Sequence, residues 1–502
     1  MHDSAIRFVL DGQVHTVSGI DPNTTVLNYL REQLHRCGTK EGCAEGDCGA
    51  CTVVIGELHQ DRVRFRASNS CIQFLPTLHG KALFTVESLK AINGDLHPVQ
   101  DAMVQSHGSQ CGFCTPGFVM SLFAMYRSER APSRSRIQDV LAGNLCRCTG
   151  YRPIIDAARR MYEAGHEAEA HWLRRPYSEC EPAAPGEHEL LEQLRDIQPA
   201  RTLALTGPGP NGDAHTFYAP NTVRELALLR ARHPKARVLA GGTDVGLWVT
   251  KDHQEIDTVI YIGNVAELKT VKHTKTMLDI GSGASLTDLE AVLGELFPDF
   301  GELLRRYASP PIRNAATLGG NIANGSPIGD SMPALIVLGA SLVLRKGETR
   351  RELPLDEFYL AYRETALAVG EFVERIRLPL DEHRQFRAYK ISKRFDQDIS
   401  ALLGAFCMRL ASGKIHDIRI CFGGMAATPK RATRCEQFLL GKTWTEDIVA
   451  SACQALDRDY APIGDMRASA GYRQRVARNL LKKFYLETSG FAGQTRVLRH
   501  GS

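Results

Sequence analysis

The first residues of the chain alternate apolar and polar positions as a β-hairpin does. Two runs rich in apolar and β-branched residues, 5–10 and 13–17, flank the pair Asp11-Gly12. An Asp-Gly pair between two such runs supplies a tight hairpin turn. The sequence therefore predicts two antiparallel strands at this end of the chain.

The apolar residues then shift to the spacing of one helix face: Val26, Leu27, Leu30 and Leu34. We expect Asn23 or Thr24 to cap this helix, because short polar side chains accept hydrogen bonds from the first turn. Residues 38–49 form a glycine-rich loop, and residues 51–55 return to a strand pattern. Together these elements predict a small α+β unit built around a loop.

From about His97 the apolar spacing becomes helical. Prolines, which are favoured at helix starts, precede two such runs. The runs are Phe118, Leu122 and Tyr126 after Pro116, and Ile154, Ala158 and Met161 after Pro153. A compact helical domain is predicted to end near Ala164.

Residues 165–199 are rich in Glu, Pro, Ala and Arg without sustained periodicity, which favours an exposed linker. Beyond it, strand-like stretches such as 237–240 and 259–262 alternate with helical patterns, which predicts an α/β domain to about Leu380. The last hundred residues predict a further α+β unit. Its final helix, residues 472–485, has an apolar face among Arg and Lys side chains and is interpreted as a packed surface helix.

Composition narrows the class of protein. The 502 residues are 43% apolar and 24% charged, as in ordinary globular proteins, and the net charge of +4 gives no reason to expect a nucleic-acid partner. No secretory signal is recognised at the N-terminus, and the apolar run 332–344 is interrupted by Pro333 and Gly339. We expect a cytoplasmic protein that does not span a membrane.

The cysteines point to metal chemistry. Nine of the fourteen fall in the first 150 residues. In a reducing compartment, such crowding in a large chain indicates metal ligation rather than disulfides.

The first cysteine group, Cys43, Cys48, Cys51 and, further on, Cys71, has the x4-x2 spacing of plant-type [2Fe-2S] ferredoxins. Glycines between these cysteines allow backbone N–H groups to approach the sulfur atoms. Structural zinc is the alternative, although zinc sites favour paired Cys-x2-4-Cys knuckles over three cysteines in one loop.

The second group consists of the pairs Cys111-x2-Cys114 and Cys146-x-Cys148, which a helical stretch separates. Four thiolates at helix ends can converge on one metal centre. Spacing alone leaves iron-sulfur and zinc equally open here.

The other cysteines receive no ligand role. Cys37 lies outside the x4-x2 spacing and is interpreted as a bystander. The scattered ones are interpreted as small buried hydrophobes: Cys180, Cys407, Cys421, Cys435 and Cys453.

Several glycine-rich stretches are candidate nucleotide loops. Residues 207–212 satisfy G-x-G-x-x-G, but prolines leave no helix to receive a phosphate, and residues 281–283 fit a turn. The loops 240–245 and 317–330 combine glycines with hydroxyl and amide donors, which suits a pyrophosphate. As residues alone, each remains either a binding loop or a plain turn.

Three stretches resemble the molybdenum hydroxylase family: GTKEGCAEGDCGAC at 38–51, QCGFCTPG at 110–117 and NLCRCTGY at 144–151. The resemblance implies that both cysteine groups hold [2Fe-2S] clusters. It also implies that Gln110 and Cys148 approach a molybdopterin, and that the first cluster passes electrons to flavin.

The loops 240–245 and 317–330 resemble the FAD-binding segments of the same family. By that resemblance, one segment wraps the FAD pyrophosphate: Val238, Leu239, Ala240, Gly241, Gly242, Thr243, Asp244 and Val245. The other residues that line the cofactor would be Ala316, Thr317, Gly320, Asn321, Asn324, Ser326 and Asp330, with Tyr307 beside the adenine and Lys390 near the flavin. The charged stretch 392–400 would influence access of NAD or oxygen.

The resemblance implies a multidomain α+β fold. Its parts would be a ferredoxin-like β-grasp [2Fe-2S] domain (1–85), a four-helix [2Fe-2S] domain (86–165) and a linker (166–199). They would be followed by an α/β FAD-binding domain of the vanillyl-alcohol oxidase type (200–380), a C-terminal α+β flavoprotein domain (381–490) and a tail (491–502).

The order of these domains resembles that of bacterial xanthine dehydrogenase small subunits. It implies electron flow from molybdopterin through two [2Fe-2S] clusters to FAD and then NAD, with xanthine, NAD and water giving urate and NADH. No catalytic residue for hydroxylation is expected on this chain. A separate large subunit would hold the molybdopterin in a heterotetramer of two small and two large subunits.

Two alternatives remain at this point. One is the same role in a related hydroxylase of an aldehyde or another N-heterocycle, because substrate contacts would lie on the partner. The other is a zinc-stapled binding module with no enzymatic role.

Overall fold

A computed structural model describes residues 2–91, 94–163, 171–177, 185–491, 493 and 495–496. The chain divides into two compact units. The first comprises residues 1–229, 235–265 and 309–316, and the second comprises residues 230–234, 266–308 and 317–502.

The first unit opens with a five-stranded sheet among its described residues. The predicted hairpin is present, and Asp11 and Gly12 both have positive φ, as its two-residue turn requires. The strand order is Gln13–Val17, Ile6–Leu10, Ala82–Phe84, Thr52–His59 and Arg62–Asn69. Ile6–Leu10 pairs in parallel with Ala82–Phe84, while the other pairs are antiparallel.

The helix predicted after the hairpin begins one or two residues later than expected. The Thr25 side chain, rather than Asn23 or Thr24, accepts the capping hydrogen bond, from the N–H of Asn28. The short helix Val26–Asn28 then widens into a π-helical turn, Tyr29–Gln33. Its apolar residues Val26, Tyr29 and Leu30 pack in one core with strands of the sheet.

A helical part of the first unit follows, as predicted. Its α-helices are Pro98–Gln105, Thr115–Tyr126, Arg134–Leu141 and Arg152–Arg160. Proline stands in the first turn of three of them, where its missing N–H costs no hydrogen bond. Short 3-10 turns lie at Leu75–Leu78, Val86–Leu89 and Trp172–Arg174.

The prediction of an exposed linker over 165–199 is wrong for its described part. Residues Pro185–Asp196 form a helix. Its buried side chains recur with helical spacing and belong to the core of the helical part: Leu190, Leu191, Leu194 and Ile197. The helical spacing of these apolar residues was missed because the segment as a whole is rich in Glu and Pro. Residues 164–170 and 178–184, including Cys180, lie outside the described residues.

The first unit also contains a four-stranded sheet. Its order is Leu203–Pro208, Ala214–Ala219, Thr258–Tyr261 and Arg237–Leu239. Residues 207–212 span the end of one strand and the turn into its antiparallel neighbour, so no helix follows the G-x-G-x-x-G match, as expected from its prolines. The first unit also contains the helices Val245–Thr250 and Pro310–Ala315. A further helix, Val223–Arg232, begins in the first unit, and its last residues belong to the second.

The second unit contains three described sheets. The five-stranded one runs in the order Val271–His273, Met277–Gly281, Phe372–Pro379, Ser341–Lys346 and Thr349–Pro354. The four-stranded one runs Gln385–Ile391, Leu402–Ala411, Lys414–Gly423 and Lys430–Arg431. A small pair is formed by Tyr359–Ala361 and Glu364–Thr365.

The α-helices of the second unit are Leu286–Leu296, Pro298–Arg305, Leu318–Asn324, Ser331–Leu338, Thr433–Leu439, Glu446–Asp457 and Ala470–Thr488, with 3-10 turns at Ala266–Lys269 and Leu355–Glu357. The final helix buries Leu480 and Phe484 in the core of the four-stranded sheet, which confirms a packed surface helix. Cys407, Cys421, Cys435 and Cys453 are buried, as interpreted.

Among the described residues, no helix combines the length and the apolar character needed to cross a bilayer.

Candidate functional site

The first cysteine group forms two close pairs of thiols. Cys51 Sγ and Cys71 Sγ lie 3.2 Å apart, and both residues are buried. Cys43 and Cys48 form the other pair, and the backbone N–H of Cys48 donates to Cys43 Sγ at 3.4 Å. The two pairs also interact electrostatically: in addition to the hydrogen bond with Cys51 and to burial, the charge of Cys43 contributes to raising the pKa of Cys71. The structure therefore brings together the four cysteines that the spacing singled out.

In each pair, hydrogen bonding favours the thiolate of one member. The hydrogen bond with Cys48 lowers the pKa of Cys43 to about 5, and the hydrogen bond with Cys71 lowers the pKa of Cys51. The pKa values of Cys48 and Cys71 are correspondingly raised. Because metals bind the thiolate form, such sharing of protons between paired thiols suits a metal site.

The second group is also arranged as two pairs, Cys114 with Cys146 and Cys111 with Cys148. Burial raises the pKa of Cys114 to about 12. Burial acts to raise the pKa of Cys146 as well, but the hydrogen bonds with Thr149, Cys148 and Cys114 together outweigh it and lower the pKa to about 7. Cys111 and Cys148 are exposed, so this group opens towards the surface.

The loops of the two groups touch through Asn144 and Leu145. The backbone N–H of Leu145 donates to the carbonyl oxygen of Cys48 at 3.0 Å. Leu145 directly precedes Cys146, so this hydrogen bond joins the first cysteine group to the second. Asn144 is 3% exposed, and its amide donates to Gly49 O at 3.1 Å.

Further contacts fix Asn144. Its Nδ2 lies 3.3 Å from Thr52 Oγ1, and its Oδ1 accepts from Ser121 Oγ at 2.6 Å. Gly49 has a φ of +71°, and a Cβ there would lie 2.2 Å from Gly143 O. The close approach therefore requires glycine at 49. Sequence reasoning missed Asn144 as a bridge because its partners are as much as 95 residues away.

Replacing Asn144 with Ala is expected to destabilise the first unit by about 3 kcal/mol, because buried partners left without a hydrogen bond cost about 1–3 kcal/mol each. Urea unfolding followed by circular dichroism measures the change. Ser121→Ala is the matched control, since it removes one of these hydrogen bonds and should cost about a third as much. Equal unfolding midpoints for Asn144→Ala and the unmodified chain would contradict the bridging role.

The glycine loop 240–245 lies directly against the first cysteine group. Gly242 has a φ of +73°, and a Cβ there would approach Ile72 O to 3.2 Å. A Cβ at Gly246 would approach the same oxygen to 2.4 Å. Ile72 follows Cys71 in the chain and packs with it, Leu247 and Ile312 in one small core. The loop and the helix Val245–Thr250 therefore rest on the residue next to a candidate cluster ligand.

The backbone of this loop has free donors. Within the part of the chain that the structure describes, the N–H groups of Gly241, Gly242 and Thr243 donate no hydrogen bond. Val238, Ala240 and Val245 are half-buried, as are these three residues, while Leu239 is buried and Asp244 is exposed. Gly241 additionally packs so closely that a Cβ would lie 1.9 Å from Ala315 O. Unpaired N–H groups at a partly open glycine turn suit an anionic phosphate.

In the second unit, Thr317 and Asn321 organise the helix Leu318–Asn324. Thr317 Oγ1 caps this helix by accepting from the N–H of Gly320 at 3.0 Å. Asn321 donates to Tyr307 OH at 3.0 Å and accepts from Ser331 Oγ at 2.5 Å. Both ends of the Asn321 amide are thus bound to protein groups, and Asn321 positions Tyr307 and the next helix.

Asp330 and Lys390 form a buried ion pair in the same unit. Lys390 Nζ donates to Asp330 Oδ2 at 2.5 Å, and the side chains are 3% and 4% exposed. Ser400 Oγ donates to the other carboxylate oxygen at 2.6 Å. Of the remaining predicted FAD contacts, Ala316 is buried in the first unit, whereas Ser326 is half-buried and Asn324 is exposed in the second.

The donor sets fit the expected groups. Two pairs of thiols match a [2Fe-2S] cluster, in which four cysteine sulfurs serve two irons. The glycine loop offers unpaired N–H groups of the kind that hold a pyrophosphate. Four thiols are also a donor set for zinc, so the donor atoms alone leave that alternative open.

Comparison with known families decides between these possibilities. Residues 8–74 match the model of a 2Fe-2S iron-sulfur cluster binding domain, and residues 85–159 match that of a [2Fe-2S] binding domain. Residues 213–381 match the FAD binding domain in molybdopterin dehydrogenase, and residues 387–488 match the CO dehydrogenase flavoprotein C-terminal domain. The chain belongs to the molybdenum hydroxylase family.

Individual molybdenum hydroxylases align over almost the whole chain. A xanthine dehydrogenase of Emericella nidulans is 33% identical over 96% of this chain and 38% of its own length. Aldehyde oxidase 2 of Cavia porcellus is 32% identical over 96% of this chain and 39% of its own length. The chain thus spans about two fifths of the length of these curated relatives.

A solved structure supports the same assignment. A chain of carbon monoxide dehydrogenase from Hydrogenophaga pseudoflava, in a form that lacks the Mo-pyranopterin moiety of the molybdenum cofactor, is 28% identical with a TM-score of 0.51. The similarity covers 53% of the present chain and 94% of that chain. The present chain thus carries two [2Fe-2S] domains and an FAD-binding domain, and its multidomain α+β fold is confirmed.

Proposed function

We propose that this chain is the electron-transfer subunit of a xanthine dehydrogenase. It would take electrons from molybdopterin on a partner subunit and pass them through two clusters and FAD to NAD. Its ligands would be Cys43, Cys48, Cys51 and Cys71 for the first cluster and Cys111, Cys114, Cys146 and Cys148 for the second. When bound, the clusters would supply one-electron transfer and FAD the conversion of two electrons to a hydride.

The observation that carries the proposal is the unbroken chain of contacts within the first unit. The hydrogen bond from Leu145 N to Cys48 O joins the two cysteine loops. On the other side, Ile72, beside Cys71, supports Gly242 and Gly246 of the flavin loop. Through these contacts, the loop of the second cysteine group touches that of the first, and the first touches the proposed flavin loop.

Three exposed apolar residues lie within three positions of a cysteine of the second group. Phe113, Leu145 and Tyr151 are 46%, 43% and 36% exposed, and Cys111 and Cys148 are open to the surface beside them. Apolar side chains gathered on a surface mark interaction sites. We propose that the molybdopterin-bearing subunit docks here, in a heterotetramer of two small and two large subunits, and that electrons enter through this group.

The FAD contacts proposed in the first unit are the unpaired N–H groups of the 240–245 loop. Those proposed in the second unit are the segment 317–330, Tyr307 for the adenine and Lys390 for the flavin. Thiolate ligands require reduced cysteines, which supports a cytoplasmic location. The domain boundaries drawn from the sequence, apart from the linker at 166–199, remain proposals in the same sense.

The substrate decides between two candidate functions, because the relatives include an aldehyde oxidase as well as xanthine dehydrogenases. We expect the co-expressed complex to convert xanthine to urate and to reduce NAD under anaerobic conditions, measured by absorbance. An aldehyde or another N-heterocycle serves as the competing substrate. Absence of urate and NADH together with turnover of the competitor would replace the xanthine assignment with the related hydroxylase.

The zinc-stapled module predicts a different spectrum. The purified, iron-replete chain is expected to show flavin and iron-sulfur absorption in the visible range. A colourless protein with stoichiometric zinc would overturn the electron-transfer proposal as a whole.

A further inference from the structure

The helix Val245–Thr250, which follows the flavin loop, ends on the backbone of the first cysteine loop. Lys251, its C-terminal cap, donates from Nζ to the carbonyl oxygen of Cys43 at 3.2 Å. Thr250 Oγ1 donates to the carbonyl oxygen of the next residue, Ala44, at 2.7 Å. Two successive carbonyls of the cysteine loop are thus bound by two successive side chains of the flavin loop's helix.

The local backbone explains why these carbonyls need partners. Ala44 has a φ of +55° and Gly46 a φ of +82°, so the loop turns sharply between Cys43 and Cys48. A left-handed conformation is costly for a residue with a Cβ and persists only where its surroundings hold it. The hydrogen bond from Thr250 to Ala44 O supplies such a constraint.

Charge adds a second effect. Lys251 Nζ lies 3.6 Å from Glu45 Oε2, and the two side chains are 44% and 37% exposed. The loop between Gly38 and Cys51 carries three carboxylates, Glu41, Glu45 and Asp47, and Lys40 as its own cation. Lys251 brings a further positive charge to this acidic loop, at the carbonyl of a candidate ligand.

We propose that Lys251 is a positioning residue that tunes the first cluster: it raises the reduction potential of that cluster from the flavin side. A cation beside the cluster stabilises the additional electron, because the reduced cluster is more negative than the oxidised one. The inference rests on the proposed function, in that it takes Cys43 as a ligand of the first cluster. The reduction potential of the first cluster then depends on the position of the helix Val245–Thr250, which carries Lys251 at its end.

The consequence for electron flow is directional. If Lys251 leaves its place, the first cluster becomes harder to reduce, while the second, whose loop Lys251 does not contact among the described residues, keeps its potential. Electrons would then remain longer on the second cluster. The position of the flavin loop and its helix thereby affects the driving force for electron transfer from the second cluster to the first.

The test is a redox titration of both clusters by EPR in the purified complex, for Lys251→Gln and Lys251→Arg. At the potential where the unmodified first cluster is half reduced, we expect Lys251→Gln to lower its reduced-to-oxidised ratio by about threefold, an effect that salt should weaken because the side chain is partly exposed. Lys251→Arg keeps the charge and should restore the ratio. The second cluster is the internal control.

Glu45→Gln provides an independent variant of opposite sign, since it removes the carboxylate that faces Lys251 and should raise the ratio. An unmoved first-cluster potential in Lys251→Gln, with both EPR signals intact, overturns the inference and leaves the proposed function standing. Equal shifts in Lys251→Gln and Lys251→Arg also overturn it, because packing rather than charge would then be responsible. An unmodified complex without a first-cluster signal overturns the proposed function and this inference together.

Discussion

Replacing Cys43 with Ser is expected to abolish one of two EPR-distinguishable [2Fe-2S] signals and to leave the other in place. The hydrogen bond with Cys48 lowers the pKa of Cys43 to about 5, so this thiol readily becomes a thiolate. A serine hydroxyl does not ionise in this range and leaves one iron short of a thiolate. Loss of this carrier would interrupt the proposed path between the second cluster and FAD.

The size of the effect follows from that position. Changes beside a metal ligand typically cost about 10–100-fold in affinity or activity, so loss of a ligand on the electron path should slow flavin reduction by more than about 100-fold. Stopped-flow bleaching of the flavin after substrate addition measures the rate in the assembled complex. Cys48→Ser should behave in the same way, since Cys48 pairs with Cys43.

Cys37 offers a matched control in the same region. It is exposed, lies six residues before Cys43 and outside the x4-x2 spacing, and is therefore expected to tolerate Ser with both EPR signals and the flavin reduction rate unchanged. Retention of both signals in Cys43→Ser would refute the ligand assignment. Loss of a signal in Cys37→Ser would add this residue to the ligand set or exchange it for another.

The N-terminal hairpin and the cysteine loops could be predicted because their signals are local. The Asp11-Gly12 turn needs only two residues with positive φ, which short polar residues and glycine adopt readily. The pair of Cys43 and Cys48 likewise joins two residues only five positions apart. In such cases the sequence neighbours of a residue are also its physical partners.

Features that depend on distant partners could not be predicted. The helix Pro185–Asp196 gains its stability from burying leucines in a core formed by earlier residues, and its local composition is that of a linker. Thr25 rather than Asn23 is the cap because the helix begins at Val26, and the amide of Asn23 donates to Ile256 O, 233 residues away. Asn144 reads as an ordinary residue before Cys146 until its bond to Gly49 is known.

The flavin segments lie between these extremes. Glycines at 241 and 242 were recognised as a loop, but the oxygens that exclude a side chain there belong to Ala315 and Ile72. The family resemblance predicts Asp330 and Lys390 as two separate cofactor contacts. Their direct pairing, which limits what either can do for a cofactor, emerges only from the fold.

Breaking that pair is expected to be the most damaging single change in the second unit. Asp330→Ala leaves the Lys390 ammonium buried without its carboxylate and removes the acceptor of Ser400 Oγ. Removal of one partner of a buried ion pair typically costs about 3–5 kcal/mol, because the remaining charge loses its compensation. We expect a lowered urea midpoint of the second unit and loss of most bound FAD.

The double variant Asp330→Leu with Lys390→Met separates stability from cofactor binding. Replacement of both charges by apolar side chains of similar size is often close to neutral, so most of the unfolding free energy should return. If the pair only stabilises the fold, FAD content returns with it. If Lys390 or Asp330 contacts the flavin, as proposed, the refolded double variant stays depleted of FAD. An Asp330→Ala chain as stable as the unmodified one would contradict the energetic role of the pair, because a buried ammonium cannot lose its partner without cost.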